Sequence, residues 1–343
     1  MGAALATRLH WGWEPQELGA ACRNLGTPCG PLATLALVLF QDRGLFDTCH
    51  VEVAQAVGYF TAVEGHYSDL PYHNAGHACD VLHSVHHILA ASGAATQLPP
   101  HELMGALVAA ATHDVGHTGR SNAFHVATRS PLAVRYNDTQ VMESHHAATA
   151  FELMAQPGCD LVAGLGVEQA QAFRDLVTRI ILSTDIGVHG SFMAEARTVL
   201  GAQPAGALTS GDQAVRWVAL RLAVKCADVS NGAKDAHSAL RWGMAIMSEF
   251  FTQGDEERAL GMQLTPGFDR HTVNVRNSQL SFQDKLAIPM FEMLAAVAPS
   301  VGGPMLERAL AMRAFFAAQP QDGGALTGER VGAPAEAASG PQR

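Results

Sequence analysis

Apolar residues along this chain recur at helical rather than alternating spacing. Long stretches rich in Ala, Leu, Val and Met are punctuated by Pro and Gly clusters, and the alternation a half-buried strand needs is almost absent. After Pro99-Pro100, the segment HELMGALVAAATHD opens as a helix, because proline is tolerated in a first turn and Glu102 lies near the positive end of the dipole. Asn137-Asp138 precedes TQVMESHHAATAFELM as a second start signal, and Gly158 closes that run. The pattern predicts further helices over 51–64, 79–91, 167–182, 213–227, 236–253 and 284–298. The Gly-, Pro- and Ser-rich stretch 201–211 reads as a loop. From residue 319 the composition turns to Gly, Ala, Pro and Gln, too poor in apolar residues to fold. The expectation is one all-helical domain over 10–318 followed by a disordered tail, 319–343.

Composition changes this picture in three places. Hydrophobic residues make up 48% of the 343 and charged residues 16%, which fits a globular chain with a substantial core. The formal net charge of -10 argues against a nucleic-acid polymer as partner. It leaves open a small anion held by local cations, since bound metal ions can override the global balance. Six cysteines without a C-x-x-C pair read as reduced thiols of an intracellular protein. No secretory signal is visible, and the longest apolar runs, such as 31–40, are too short to span a bilayer, so a cytoplasmic protein is expected. Of the 17 histidines, 12 fall between His66 and His146, a concentration that points to metal binding or proton transfer.

Three segments carry candidate chemistry. If the helix begins at His73, then His73 and His77 share one face, although an i, i+4 pair alone is weak evidence. His113-Asp114, with His117 close behind, offers nitrogen and carboxylate donors at the end of an apolar helix, where an unpaired Asp114 would be costly to bury. Asp228 follows the apolar stretch 218–224; spacing leaves open whether it caps the next segment or serves as a distant ligand. Two histidines and two aspartates from three helices would close a metal site inside a bundle. A pair of divalent ions there would make a nucleophile of water and stabilise phosphoryl charge, leaving His73 to protonate the departing oxygen.

The segments YHNAGHACDV, HDVGHTGRSNAF, LAVRYNDTQVMESHH, TDIGVH, ADVSN, EFFTQGDEERALGM and SQLSF occur in the order shown by class I cyclic-nucleotide phosphodiesterases, which this chain resembles from Tyr72 to Phe282; VEGHYSDLP just upstream also fits. The resemblance implies an all-α, compact multi-helix bundle of the HD-type metallophosphohydrolase kind with a binuclear metal site. It implies hydrolysis of 3′,5′-cyclic nucleotides to 5′-monophosphates by a metal-bridging hydroxide. His77, His113, Asp114 and Asp228 correspond to ligands of Zn²⁺, with Asp114 bridging to a second ion, Mg²⁺ or Mn²⁺. His117, Glu143 and Thr184 match positions that hold waters of the second ion. His73 corresponds to the general acid and Glu102 to the carboxylate that orients it. Gln279 and Phe282 resemble the base-recognition pair, Ile246 and Phe250 the opposite side of the clamp, and Asn231 and Tyr72 further pocket residues.

Gly232, Ser281 and Gln283 depart from that family's usual residues, which leaves the choice between cAMP and cGMP open and predicts that both are accepted. Two rival readings share the metal ligands: an HD-type phosphohydrolase of another nucleotide, and a non-catalytic cyclic-nucleotide sensor. The first gives no reason for the Gln279–Phe282 pair, and the second none for a complete ligand set with His73. The expected partner is a small cyclic nucleotide. A regulatory module or a homodimer is compatible with the resemblance.

Overall fold

The structure is a computed structural model that describes residues 11, 13–201 and 205–320. Among the described residues it is helical and has no strand. The longer helices run in the order α1 Pro15–Leu25, α2 Pro31–Asp42, α3 Val53–Gly65, α4 Ala75–Ala91, α5 Pro100–Thr112, α6 Val141–Met154 and α7 Val167–Thr184. They continue as α8 His189–Gly201, α9 Gln213–Asp228, α10 Ala236–Ala259, α11 Val275–Phe282, α12 Ile288–Val297 and α13 Pro299–Ala318. Short helical turns, among them Asn122–Ala127 and Ser230–Ala233, fill the connections.

The nearly featureless apolar segment Leu103 to Thr112 becomes the central helix, every residue of it buried. Helix α7 packs along α5, while α4 packs against α5, α9 and α2. A helix that is apolar all round has to sit where others enclose it, which explains why α5 shows no polar face. The three helix ends that carry His77, Asp114 and Asp228 therefore converge on the interior.

The expected helices are present with shifted ends, and the shifts have local causes. His73 does not lie on a helix with His77: α4 starts at Ala75, because the Asn74 side chain accepts bonds from the amides of Gly76 (2.8 Å) and His77 (3.1 Å) and ends the turn there. Asn137 and Asp138 do not cap α6. Both adopt left-handed backbone (φ 54° and 59°), and Gln140 occupies the position before the helix with no side-chain cap bond. The single helix expected over 284–298 is interrupted. A π turn, Gln283–Ala287, links α11 to α12, with the Ile288 amide reaching back to the Gln283 carbonyl. Pro289 follows and has no amide to continue the α ladder.

Helix α13, which opens with PSVGGP, is not among the helices that the pattern predicts. Packing decides it: a Cβ on Gly302 would lie 2.4 Å from the Ala295 nitrogen, so only glycine permits α12 and α13 to approach this closely. Most of the expected tail, from residue 321 onward, lies outside the described residues.

Near the N-terminus, Trp11 donates its indole N–H to the Ala233 carbonyl (2.9 Å), and a buried ion pair joins Lys234 to Asp80. Both contacts fasten the turn Ser230–Ala233, which carries Asn231 into the site. Among the described residues no helix is long and apolar enough to cross a membrane.

Candidate metal centre and substrate cavity

Four side chains from three helix ends meet below the floor of a cavity. His77 projects from the first turn of α4, His113 and Asp114 follow α5, and Asp228 is the last residue of α9. His113 donates Nδ1–H to the Ala110 carbonyl (3.0 Å), which turns Nε2 inward toward the other three side chains. The His77 Nε2 lies 3.3 Å from that atom, 3.5 Å from Asp114 Oδ2 and 3.2 Å from Asp228 Oδ1. The His113 Nε2 lies 3.1 Å and 3.4 Å from the same two oxygens.

Donors held about 2.1 Å from one centre lie roughly 3.0 Å apart at right angles and 3.4 Å apart at tetrahedral angles. The observed spacings fall in and just beyond that interval, so the residues present fit a divalent cation. Their electrostatics agree. Burial opposes charge on His113, Asp114 and Asp228, yet the two carboxylates hold His113 well above the usual imidazole range. The imidazoles in turn hold Asp114 and Asp228 well below the carboxylate range against the same burial. The cluster demands positive charge at its centre.

His73 stands beside this cluster, on the extended segment before α4. Its Nδ1 lies 2.6 Å from Oε2 of Glu249, and the other oxygen of Glu249 accepts the backbone amides of Tyr72 (2.6 Å) and His73 (2.9 Å). The carboxylate thus fixes both the ring and the peptide that carries it. Burial favours the neutral ring, but the Glu249 bond and the nearby aspartates raise the His73 pKa above its ordinary value.

Glu102, expected to orient His73, does something else. It is fully buried at the start of α5, and its two oxygens accept Arg216 Nη2 (2.7 Å) and Nε (2.9 Å), with Trp217 Nε1 at 3.1 Å. Burial would raise its pKa, and the Arg216 and Trp217 bonds outweigh that and hold it below the usual range. Both of its oxygens are engaged by α9, so it is a strut between α5 and α9.

The cavity, about 790 Å³, is lined by His73, Asp114 and Asp228 at its floor. His117, Glu143 and Thr184 line it as well. His117 stacks on His73 (ring centroids 3.8 Å apart, planes 15°), and its Nδ1 accepts the Gly119 amide (2.9 Å), so its Nε2 is the N–H donor. Gly116, with φ 75°, makes the turn that brings His117 back toward Asp114. Burial pushes the Glu143 pKa up to about 7, although a bond from Asn122 Nδ2 (2.8 Å) favours the ionised form.

Residues 72–308 match the family model described as 3′5′-cyclic nucleotide phosphodiesterase. The chain belongs to this family. It is 37% identical over 269 residues to the "3′,5′-cyclic-AMP phosphodiesterase 4C" of Mus musculus, covering 77% of this chain and 39% of that protein. To the "3′,5′-cyclic-AMP phosphodiesterase, isoform F" of Drosophila melanogaster it is 36% identical over 299 residues, 86% of this chain and 44% of that protein. The chain therefore spans less than half the length of these relatives. Among solved structures it is similar to the phosphodiesterase domain of Salpingoeca rosetta rhodopsin phosphodiesterase, with a TM-score of 0.81, 25% identity and 90% of each chain covered.

The same cavity is lined by the remaining residues expected of a cyclic-nucleotide phosphodiesterase. Tyr72, Asn231, Ile246, Phe250, Gln279 and Phe282 all line it. Asn231 Nδ2 donates to the Tyr72 hydroxyl (2.9 Å). Phe250 is stacked face to face on Phe268 (4.3 Å, 13°), so the wall of the cavity on this side is a pair of rings.

Three residues here escaped sequence reasoning: Glu249, Phe268 and Asn122. Glu249 lies within the quoted segment EFFTQGDEERALGM and adjoins Phe250, but nothing local marks it as the partner of a histidine 176 residues away. Asn122, in SNAF, holds Glu143 and also accepts the Met142 amide (2.8 Å), a bridge no spacing rule indicates. Phe268 sits in a loop with no motif.

Two outcomes follow from this geometry. Glu102→Gln is expected to cost about 3 kcal/mol of stability, since it breaks a buried pair and leaves Arg216 uncompensated; denaturant unfolding measures it. His77→Ala or Asp228→Ala is expected to lower bound divalent metal, read by elemental analysis of the purified protein, while the helical circular dichroism is retained.

Proposed function

We propose that this chain hydrolyses 3′,5′-cyclic nucleotides to 5′-monophosphates. The reading rests on a four-donor cation cluster and the His73–Glu249 pair meeting a cavity that Gln279 and Phe282 also line. The mixed nitrogen and oxygen donors of the cluster suit Zn²⁺, and Asp114 is the carboxylate that would reach a second, harder ion, Mg²⁺ or Mn²⁺. Bound there, divalent cations supply Lewis acidity toward the phosphate and make water nucleophilic at neutral pH. His117, Glu143 and Thr184 face the same volume and would order the water shell of the second ion.

The protein's own groups do the rest. The phosphorus–O3′ bond breaks as phosphorus gains a hydroxyl, and the leaving O3′ takes a proton from His73. Glu249 accepts the Nδ1–H of that ring, so the Nε2–H is the proton left to donate, and the negative charge of Glu249 favours the protonated ring. His117, stacked on His73, is held neutral by burial and by its neighbour's charge, so it does not compete for the role.

In the same cavity, Phe282 offers a face for a flat base and Gln279 a donor and an acceptor. Among the described residues the Gln279 side chain has no hydrogen-bond partner, which leaves its amide open to either purine. The catalytic unit on this reading is 10–318, since helix α13 ends at Ala318 and packs on α12. A cytoplasmic location accords with six free cysteines.

Incubation with cAMP and with cGMP in the presence of Mg²⁺ tests the reading. Release of 5′-monophosphate from either is the expected result, and a chain that binds both but converts neither would favour the sensor reading. Glu249→Gln removes the charge that raises the His73 pKa. The alkaline limb of its kcat profile is therefore expected at lower pH than in the wild type, because the acid loses its proton sooner. An unmoved limb would refute the pairing.

A further inference from the structure

Glycine weakens a helix interior relative to alanine and is retained there when something needs its space. Gly243 lies inside the 24-residue helix α10, buried, and its backbone is not left-handed, so conformation does not call for glycine. The space is used by Gln279. A Cβ at position 243 would lie 3.1 Å from Cδ, Nε2 and Oε1 of Gln279 alike. Equal distances to those three atoms mean that the flat face of the carboxamide rests on the α10 backbone.

Gly232 makes the same provision on the opposite side. Its backbone is likewise not left-handed, and a Cβ there would come 3.0 Å from the Phe282 ring and 2.9 Å from Gln283 Nε2. That nitrogen donates to the Gly232 carbonyl (3.0 Å), tying the π turn after α11 to the turn that carries Asn231. The amide and the ring that face the base are thus each seated against a glycine, and both glycines line the cavity.

We infer that Gly243 and Gly232 are specificity-determining residues, whose missing side chains set how far Gln279 and Phe282 are withdrawn from the base. The inference rests on the phosphodiesterase reading and deepens it. Adenine presents a donor at N6 beside an acceptor at N1, and guanine an acceptor at O6 beside a donor at N1. One carboxamide serves both only if it can turn over, and a bare backbone seat offers nothing to hold it one way. A side chain at 243 displaces or clamps the amide; one at 232 pushes the ring inward.

The test is steady-state kinetics of wild type, Gly243→Ala, Gly243→Ser and Gly232→Ala on cAMP, cGMP and cyclic uridine monophosphate, with Tm measured on each. Gly243→Ala and Gly232→Ala are expected to raise KM for both purine nucleotides about fivefold or more, with kcat kept within about twofold. Gly243→Ser, whose hydroxyl can bond the amide, is expected to shift the ratio of kcat/KM for cAMP and cGMP by about tenfold, the scale of one hydrogen bond. The smaller pyrimidine should be affected less than about twofold. Because alanine favours a helix, Gly243→Ala should unfold at or above the wild-type Tm.

Purine KM values and ratio that stay within twofold in all three variants, with an active wild type, overturn the inference. So does a parallel loss on all three nucleotides with lowered Tm, which would mark the glycines as packing residues. A wild type that converts no cyclic nucleotide instead sinks the phosphodiesterase reading, and this inference with it.

Discussion

His77 Nε2 and His113 Nε2 each lie 3.1–3.5 Å from oxygens of Asp114 and Asp228, two buried carboxylates that repel unless positive charge lies between them. The fold accepts that repulsion at the meeting point of three helix ends. Asn74 starts α4 so that His77 enters on its first turn, and the Ala110 carbonyl turns the His113 Nε2 inward. Asp228 is delivered by the last turn of α9. Each device orients one donor toward the common centre. A preorganised cation site is the condition under which the rest of the architecture makes sense.

Around that centre the buried acids divide the work by their partners. Glu249 spends its acceptor capacity on His73 and on two amides beside it, so a proton donor is held at the cavity floor. Glu102 spends its own on Arg216 and Trp217 and joins α5 to α9. Both side chains are almost wholly buried, and both are held in the ionised form by partners that outweigh burial. The chemistry of the residue type is shared; the assignment is a matter of neighbours.

The base end obeys a steric constraint more than an electrostatic one. Phe250 and Phe268 stack into one wall, and the π turn after α11 sets Gln283 against the Gly232 carbonyl. Departures at positions 232 and 283 that look independent in the sequence meet in a single contact. A larger residue at 232 would exclude the Gln283 amide.

Much of this was legible in the chain itself. Helical periodicity announced the all-α class, the apolar stretch 103–112 announced its own burial, and the family resemblance marked His77, His113, Asp114 and Asp228 as donors where spacing alone leaves Asp228 open. Periodicity and donor type reside in side chains read one at a time, so sequence determines them. The carboxylate facing His73, the ring facing Phe250 and the helicity of PSVGGP were decided only in three dimensions. Glu102 and Glu249 are chemically the same, and their partners lie 114 and 176 residues away, a separation across which local propensity carries no information and only packing chooses.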